Sequence, residues 1–297
     1  RPVRQCGRRR GGSRTARCVG WVAPGHSATA RSAAVAAETD PSQTVIVWLA
    51  FDASGGIRMK AYAGALYRSN SQGRDWQRVA MPGVVNQGRI AAISSAAQGG
   101  SLYVAGPRFG VLRSVDGGRS WIAKNDGLPS REIVALSAHA QQPQTVYAYA
   151  TGHGIFRSQD AGDHWRLMDA GPREKVVQFV HSNMPGSMET GWLFAATAKG
   201  VGRSMDCFCG WRDAGALAQR VNAITFDPKE TRRVYAATSE AFLVSVDGGE
   251  HWSHAQRPGG TVTALVVTPA GVVYAASGRG ELLVSADRGR SWRHVDE

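Results

Sequence analysis

The sequence of 297 residues is poor in several things that would each have pointed to a function. No run approaches 18 consecutive apolar residues, which excludes a membrane-spanning helix. Four cysteines are too few for a disulfide scaffold at this length. A sustained 3.6-residue hydrophobic period is missing, which argues against a helical fold. There is no phosphate-cradling glycine loop, neither Gly-x-Gly-x-x-Gly nor the Walker type. Acid is missing locally, because residues 1–37 contain no Asp, Glu or Lys.

What is present is 43% hydrophobic residues, enough for a core, with 36 Gly, nine Trp and a formal charge of +12. The charge is unevenly placed. Eight arginines fall within residues 1–37, which leaves 27 basic against 23 acidic groups elsewhere, or +4. A nucleic-acid-binding body is therefore not expected, and no nucleic-acid partner is assigned. Residues 1–40 read as a flexible basic segment: a targeting peptide, an incidental start, or a basic arm. Export or an organelle lumen is expected over the cytoplasm.

An eight-residue pattern, Ser-x-Asp-x-Gly-x-x-Trp, organises the remainder. Four copies are complete: Ser114, Asp116, Gly118 and Trp121; Ser158, Asp160, Gly162 and Trp165; Ser245, Asp247, Gly249 and Trp252; Ser285, Asp287, Gly289 and Trp292. Two are degenerate. The segment ending at Trp76 has Ser71 in place of the acid, and the one carrying Asp206 and Trp211 has Phe208 in place of the glycine. The six tryptophans are spaced by 45, 44, 46, 41 and 40 residues, the length of one four-stranded propeller blade. Short alternating runs precede each box, such as 221–226, and a second run carries an aromatic: Tyr62, Tyr103, Tyr147, Phe194, Tyr235 and Tyr274. The expected fold is all-β, a six-bladed β-propeller of four-stranded antiparallel blades over residues 41–297, with room for a seventh blade.

This box resembles the Asp-box, or BNR repeat. Its Asp can accept hydrogen bonds from the backbone of its own turn, its Gly supplies a positive φ, and its Trp plugs the neighbouring blade. Six such residues at a fixed offset from Trp read as turn construction, not as catalytic carboxylates. Sialidases share the repeat, but the nearest match to their Arg-Ile-Pro segment, Arg89-Ile90-Ala91, lacks the proline, and no tyrosine follows Tyr274. No catalytic residue, metal or cofactor is assigned.

Other candidates are thin. His164 and His251 occupy a box slot filled elsewhere by Asp75, Ser120, Gly210 or Ser291, and read as exposed turn positions. His139, His181, His254 and His294 show no metal-ligand spacing. Cys207 and Cys209, one residue apart, are too close for a relaxed disulfide with each other and read as inert turn thiols, with reactivity or an interchain bond as the other readings.

One face carries repeated charge. Loops entering the innermost strand hold Arg89, Arg131 beside Glu132, Lys175, Arg220 and Thr261. Hairpins between second and third strands hold Arg108, His153, Lys199, Glu240 and Arg279. These positions share one end of each blade, the end expected to surround the channel mouth. The seven basic residues suit an acidic protein segment.

The segment 220–249, with Arg-Val-Asn-Ala-Ile, Val-Tyr-Ala-Ala-Thr and Leu-Val-Ser-Val-Asp-Gly-Gly, resembles the photosystem II stability and assembly factor family and bacterial BNR propellers over about residues 41–297. The resemblance implies a non-enzymatic scaffold that binds a membrane-protein partner through an arginine-rich face, matched best here by Arg89 and Arg220, and a monomer is expected. It is compatible with peripheral membrane association and no transmembrane segment. Glu132, Thr261 and a count of six blades against that family's seven depart from the pattern. A glycan-binding or glycoside-hydrolysing, sialidase-like propeller is the alternative.

Overall fold

Each repeat folds as a four-stranded antiparallel meander, innermost strand first, and six meanders close into a β-propeller. A computed structural model describes residues 45–51, 57–69, 75–97, 100–188 and 190–295. The blades span residues 48–78, 92–123, 133–169, 176–213, 223–255 and 262–294. The only helical element among the described residues is a 3₁₀ segment, Gly83–Gln87, so none is long and apolar enough to cross a membrane. Residues 1–40, including Cys6 and Cys18, lie outside the described residues.

The inner strands are Trp48–Phe51, Ala92–Ser95, Ile133–Ala138, Val176–Ser182, Ala223–Phe226 and Val262–Val267. Each touches the next around a closed ring, the sixth meeting the first. Short polar side chains of these strands bridge the blades by bonding to neighbouring backbone. Ser95 Oγ donates to Phe51 O (2.8 Å), Ala138 N donates to Ser94 Oγ (2.9 Å), and His181 N donates to Ser137 Oγ (2.9 Å). The Gln178 carboxamide makes two bonds to the Ile224 peptide, and Thr263 Oγ1 donates to Ile46 O (2.7 Å). This last bond closes the ring. Every described blade takes its four strands from one continuous segment, so blade 6 meets blade 1 without sharing a strand, through that bond and packing: Ile46 and Leu49 against Ala264 and Ala276, and Phe51 against Tyr274 (centroids 5.7 Å apart).

Between blades lie the second-strand aromatics. Tyr103, Tyr147, Phe194 and Tyr235 are buried to within 1% of full burial, each contributing roughly 1.5–3 kcal/mol or more of apolar transfer. Blade 1 departs from the expected pattern. Tyr103 stands opposite Arg113, one residue before the box Ser114, and the blade 1 residue opposite the equivalent Arg68 is Met59, not Tyr62. Met59 is buried and takes the aromatic slot, while Tyr62 lies three residues further on, at the strand end, packed edge-on against Tyr67. A thioether can fill an irregular gap that the alternation of the strand alone does not identify.

Candidate functional site

Four of the repeat turns share one hydrogen-bond scheme. In blade 2 the Ser114 hydroxyl donates to Asp116 Oδ1 (2.8 Å) and accepts from Gly118 N (2.8 Å), while Arg119 N and Ser120 N donate to Asp116 Oδ1 (both 2.9 Å). Blades 3, 5 and 6 repeat the serine bonds around Asp160, Asp247 and Asp287. The slot before Trp completes the scheme. Ser120 and Ser291 donate through Oγ to the second carboxylate oxygen, and His164 and His251 contact it through Nδ1 at 2.7 Å. Both histidines are exposed turn residues, as expected. Hydrogen bonds hold all four carboxyls well below the usual carboxylate range, against the opposing effect of desolvation.

Glycine and tryptophan then tie each turn to the preceding blade. A Cβ on Gly162 would lie 3.1 Å from Lys124 and 3.8 Å from the Tyr103 ring of blade 2, and one on Gly249 would lie 3.5 Å from Phe194 of blade 4. Indole N–H groups of Trp165, Trp252 and Trp292 donate to Lys124 O, Ala214 O and Gln256 O, and that of Trp211 donates to Asp169 Oδ1 (2.7–2.9 Å). Trp76 follows a turn that lies largely outside the described residues.

Blade 4 breaks the scheme. Asp206 is fully buried, and no hydrogen bond from residues 207–211 reaches its carboxylate among the described residues. It accepts instead from Thr190 N (2.9 Å), from Thr190 Oγ1 (2.6 Å) and from His181 Nε2 (3.4 Å). His139 Nε2 stands 2.6 Å from Thr190 Oγ1, and the two imidazoles stack with centroids 3.8 Å apart. Burial first, then the neighbouring His181, pushes His139 down to about 3, and burial lowers His181 too. Burial opposes the charge on Asp206, but the bonds from His181 and Thr190 outweigh it and keep the carboxyl well below its ordinary value.

Spacing did not anticipate this cluster, although the separation of 42 residues between the two histidines is one blade period, which places them on adjacent blades. His139, His181 and Asp206 bring potential metal-ligand atoms within 4.8 Å of one another. The tautomers weigh against a cation. His139 Nδ1 accepts from Gln141 N and Gln142 N (3.0 Å each), and His181 Nδ1 accepts from Ala140 N (3.1 Å). Both protons therefore sit on Nε2, the atoms that face Asp206, and a metal would have to displace them. The arrangement is a hydrogen-bond relay across the seam of blades 3 and 4.

Cys207 and Cys209 form a disulfide, which corrects the expectation of free turn thiols. Phe208 between them has a positive φ of 55°, which folds the chain back and brings the two Cα atoms to 5.5 Å, inside the ordinary range for a disulfide.

All seven basic residues of the candidate face are exposed. The backbone pairs entry loop with hairpin at one end of each blade: Thr151 N donates to Glu132 O beside Arg131, Ala198 N to Lys175 O, and Gly278 N to Thr261 O next to Arg279. In blade 2, Arg108 donates to Gln87 O (3.1 Å) of its own entry loop, two residues from Arg89. Lys199 pairs with Glu174 (2.9 Å), an acid the charge tally omitted, and Arg220 donates to Asn222 Oδ1 (3.2 Å). Arg89, Arg108, Arg131, Lys175, Arg220 and Arg279 make no ion pair among the described residues.

The central cavity, about 250 Å³, belongs to the other end of the blades. Its walls are the C-terminal halves of the inner strands and the loops after them, including Ser94, Ser137, His139, Gln178, His181 and Thr225. None of the seven basic residues lines it. The channel end expected beneath the basic residues is thus not where the cavity lies, because inner strands run away from their entry loops. A larger groove of about 810 Å³ does reach the basic end, between Arg173, Glu174, Lys199, Trp211, Arg212 and Leu217.

The chain's sequence matches no known family profile and no curated protein. Its fold is shared with solved propellers. A YCF48 bound to a D1 peptide superimposes with a TM-score of 0.56 at 19% identity, covering 86% of this chain and 83% of that one. YCF48 from Cyanidioschyzon merolae gives 0.53 at 19%, covering 86% of each. The GH74 enzyme of Niastella koreensis gives 0.60 at 17%, covering 85% of this chain and 47% of that one. This chain spans a third to a half of the length of such GH74 enzymes.

Proposed function

We propose that this chain is a non-enzymatic propeller scaffold that captures an acidic segment of a protein partner on the face made by its entry loops and second-to-third-strand hairpins, in the assembly or stabilisation of a membrane-associated complex. The observation that carries this reading is the exposure, at one end of the blades, of six basic side chains with no ion-pair partner among the described residues. Guanidinium groups in such a setting offer bidentate bonds to carboxylates and steer an acidic segment by long-range attraction. The propeller supplies rigidity, since each blade is bonded to the next through backbone and short side chains, and loops on a rigid ring pay little ordering entropy on binding. The peptide-bound neighbour gives this use of the fold a precedent. The turns of blades 2, 3, 5 and 6 match the Asp-box in sequence and read as structural in this scheme.

Capture of partners at low and high salt tests the reading. Arg89→Glu, Lys175→Glu and Arg220→Glu combined should abolish capture at low salt while the protein keeps its thermal transition. Unchanged capture would remove this face. Turnover of a panel of sialosides and β-glucans, inhibited by a substrate-like analogue, would favour the glycosidase alternative instead.

A further inference from the structure

The turn of blade 4 has lost both devices that close its counterparts. In blades 2, 3, 5 and 6 the serine hydroxyl accepts from the fifth-position glycine N–H at 2.7–2.8 Å, and the aspartate accepts from the backbone four residues on, in blades 2 and 6 also three residues on. In blade 4 the Ser204 hydroxyl donates to Met205 O (3.1 Å), and Asp206 has turned into the seam to meet Thr190 and His181. The fifth position is Phe208, whose ring lies 6.0 Å from Tyr147 of blade 3, so the place that glycine backbone covers in other blades is here covered by a side chain. Besides one backbone bond, from Phe208 N to Met205 O (2.9 Å), what closes this turn is covalent. The Cys207–Cys209 bond flanks Phe208 on both sides and directly follows Asp206.

That bond is open to exchange. Cys209 is exposed and Cys207 half-buried, and beyond its bonded partner, Cys209 Sγ lies 3.8 Å from the sulfur of Met188, itself 76% exposed. A loop closed by one intervening residue restricts the unfolded chain little, so the bond gains little of the entropic protection a long-range disulfide enjoys. Accessible sulfurs are those that thiolates attack.

We propose that Cys207–Cys209 is a thiol-exchangeable disulfide that serves as the clasp of the blade 3–blade 4 seam, and that its reduction releases Phe208 from Tyr147 and Asp206 from His181 and Thr190. The reductant is a dithiol or a low-molecular-weight thiol. Its thiolate attacks Cys209 Sγ, the disulfide bond breaks, and Cys207 leaves as a thiolate that takes up a proton. A second thiolate of the reductant attacks its own sulfur in the mixed disulfide, expelling Cys209 as a thiolate that is protonated in turn. The reductant loses two electrons and two protons and becomes a disulfide, and the cysteine pair gains both. With the clasp open, no serine or aspartate side-chain bond closes the turn, and Phe208 and Asp206 are left on the backbone bonds Phe208 N to Met205 O and Asp206 N to Gly191 O (2.9 and 3.1 Å).

The test uses the full chain without denaturant. Protein is incubated with millimolar dithiothreitol, then with iodoacetamide, and the cysteine peptides are mapped by mass spectrometry, while amide exchange is followed at Thr190 and Ala140. Expected are unlabelled Cys207 and Cys209 before reduction, both labelled after it, and at least tenfold faster exchange at Thr190 and Ala140, with Gly118 and Gly249 unchanged. The Cys207→Ser/Cys209→Ser variant should show the fast exchange without reductant. The proposal falls if the two cysteines are labelled before reduction, if they resist reduction until denaturant is added, or if they are reduced with no change at Thr190 and Ala140. Should the double variant fail to fold, the reductant series on the unaltered protein decides alone.

Discussion

Asp206 and His181 meet within blade 4, carboxylate to Nε2 at 3.4 Å, both fully buried, and the His181 ring stacks across the seam on His139 of blade 3. The same repeat position in the turns of blades 2, 3, 5 and 6 points an aspartate into its own hairpin. One position of a repeated motif thus does two jobs, and which it does depends on whether its own turn still offers backbone N–H groups.

Removing that carboxylate should be costly. In Asp206→Ala the N–H of Thr190 and the Nε2–H of His181 lose their acceptor inside the protein, a penalty of about 2–4 kcal/mol. Chemical denaturation measures it, and a loss below about 1 kcal/mol would show that the relay does not stabilise the seam.

Acid should weaken the fold through the same cluster. His139 in the folded chain holds off protonation until about pH 3, whereas the unfolded chain takes up that proton near 6.5. The unfolded state therefore binds more protons across this window, and stability falls as pH drops from about 6.5 toward 3, by up to about 1.4 kcal/mol per pH unit for each such histidine. His181, also lowered, adds in the same direction. Denaturation midpoints between pH 4.5 and 7.5 test it, and a His139→Gln/His181→Gln protein should be flatter. His164 has the opposite sign: its bond to Asp160 raises it, so its contribution is present below its unfolded value and fades as pH rises through the raised one. His164→Ser, which supplies the residue found in two other turns, is the control.

Glycines of positive φ separate strain from collision. Gly259 (φ 90°) has open space where a Cβ would stand, whereas a Cβ on Gly289 (φ 85°) would come within 2.6 Å of the Phe242 ring. Gly259→Ala should cost about 1 kcal/mol for the backbone alone. Gly289→Ala should cost roughly 2–4 kcal/mol, since Phe242 packs between Tyr235 and Trp292 and cannot yield. Equal losses would mean the interblade packing is softer than described.

Tyr235 carries a hydroxyl with no partner among the described residues, in surroundings that push it up to about 12, chiefly by burial. Tyr235→Phe should be neutral or stabilising by about 1 kcal/mol, because the ring stays and an unsatisfied polar group goes. A clear loss of stability would reveal a bond the hydroxyl makes.

Much of this was legible in the chain. Tryptophans spaced by 40–46 residues, with Ser, Asp and Gly at fixed offsets, are local chemistry: a turn of eight residues closes by its own side chains, so its sequence states its structure. From there the blade count and the strand order followed. Four things did not. Met59 fills an aromatic's slot because packing asks for volume and shape, not for a residue class. Glu174 neutralises Lys199 because hairpin and entry loop meet only in the folded blade. The cavity lies away from the basic residues because strand direction assigns each end of an inner strand to one face. The His139–His181–Asp206 relay and the disulfide beside it arise where one turn diverged, other parts of blade 4 supplied the partners its aspartate lost, and blade 3 added His139. The sequence by itself determined the repeat, and with it the ring; contacts between residues 25 to 67 apart belong to the tertiary structure alone, since only folding of a blade brings its distant strands and loops together and only packing of adjacent blades brings His139 to Thr190 and Asp206.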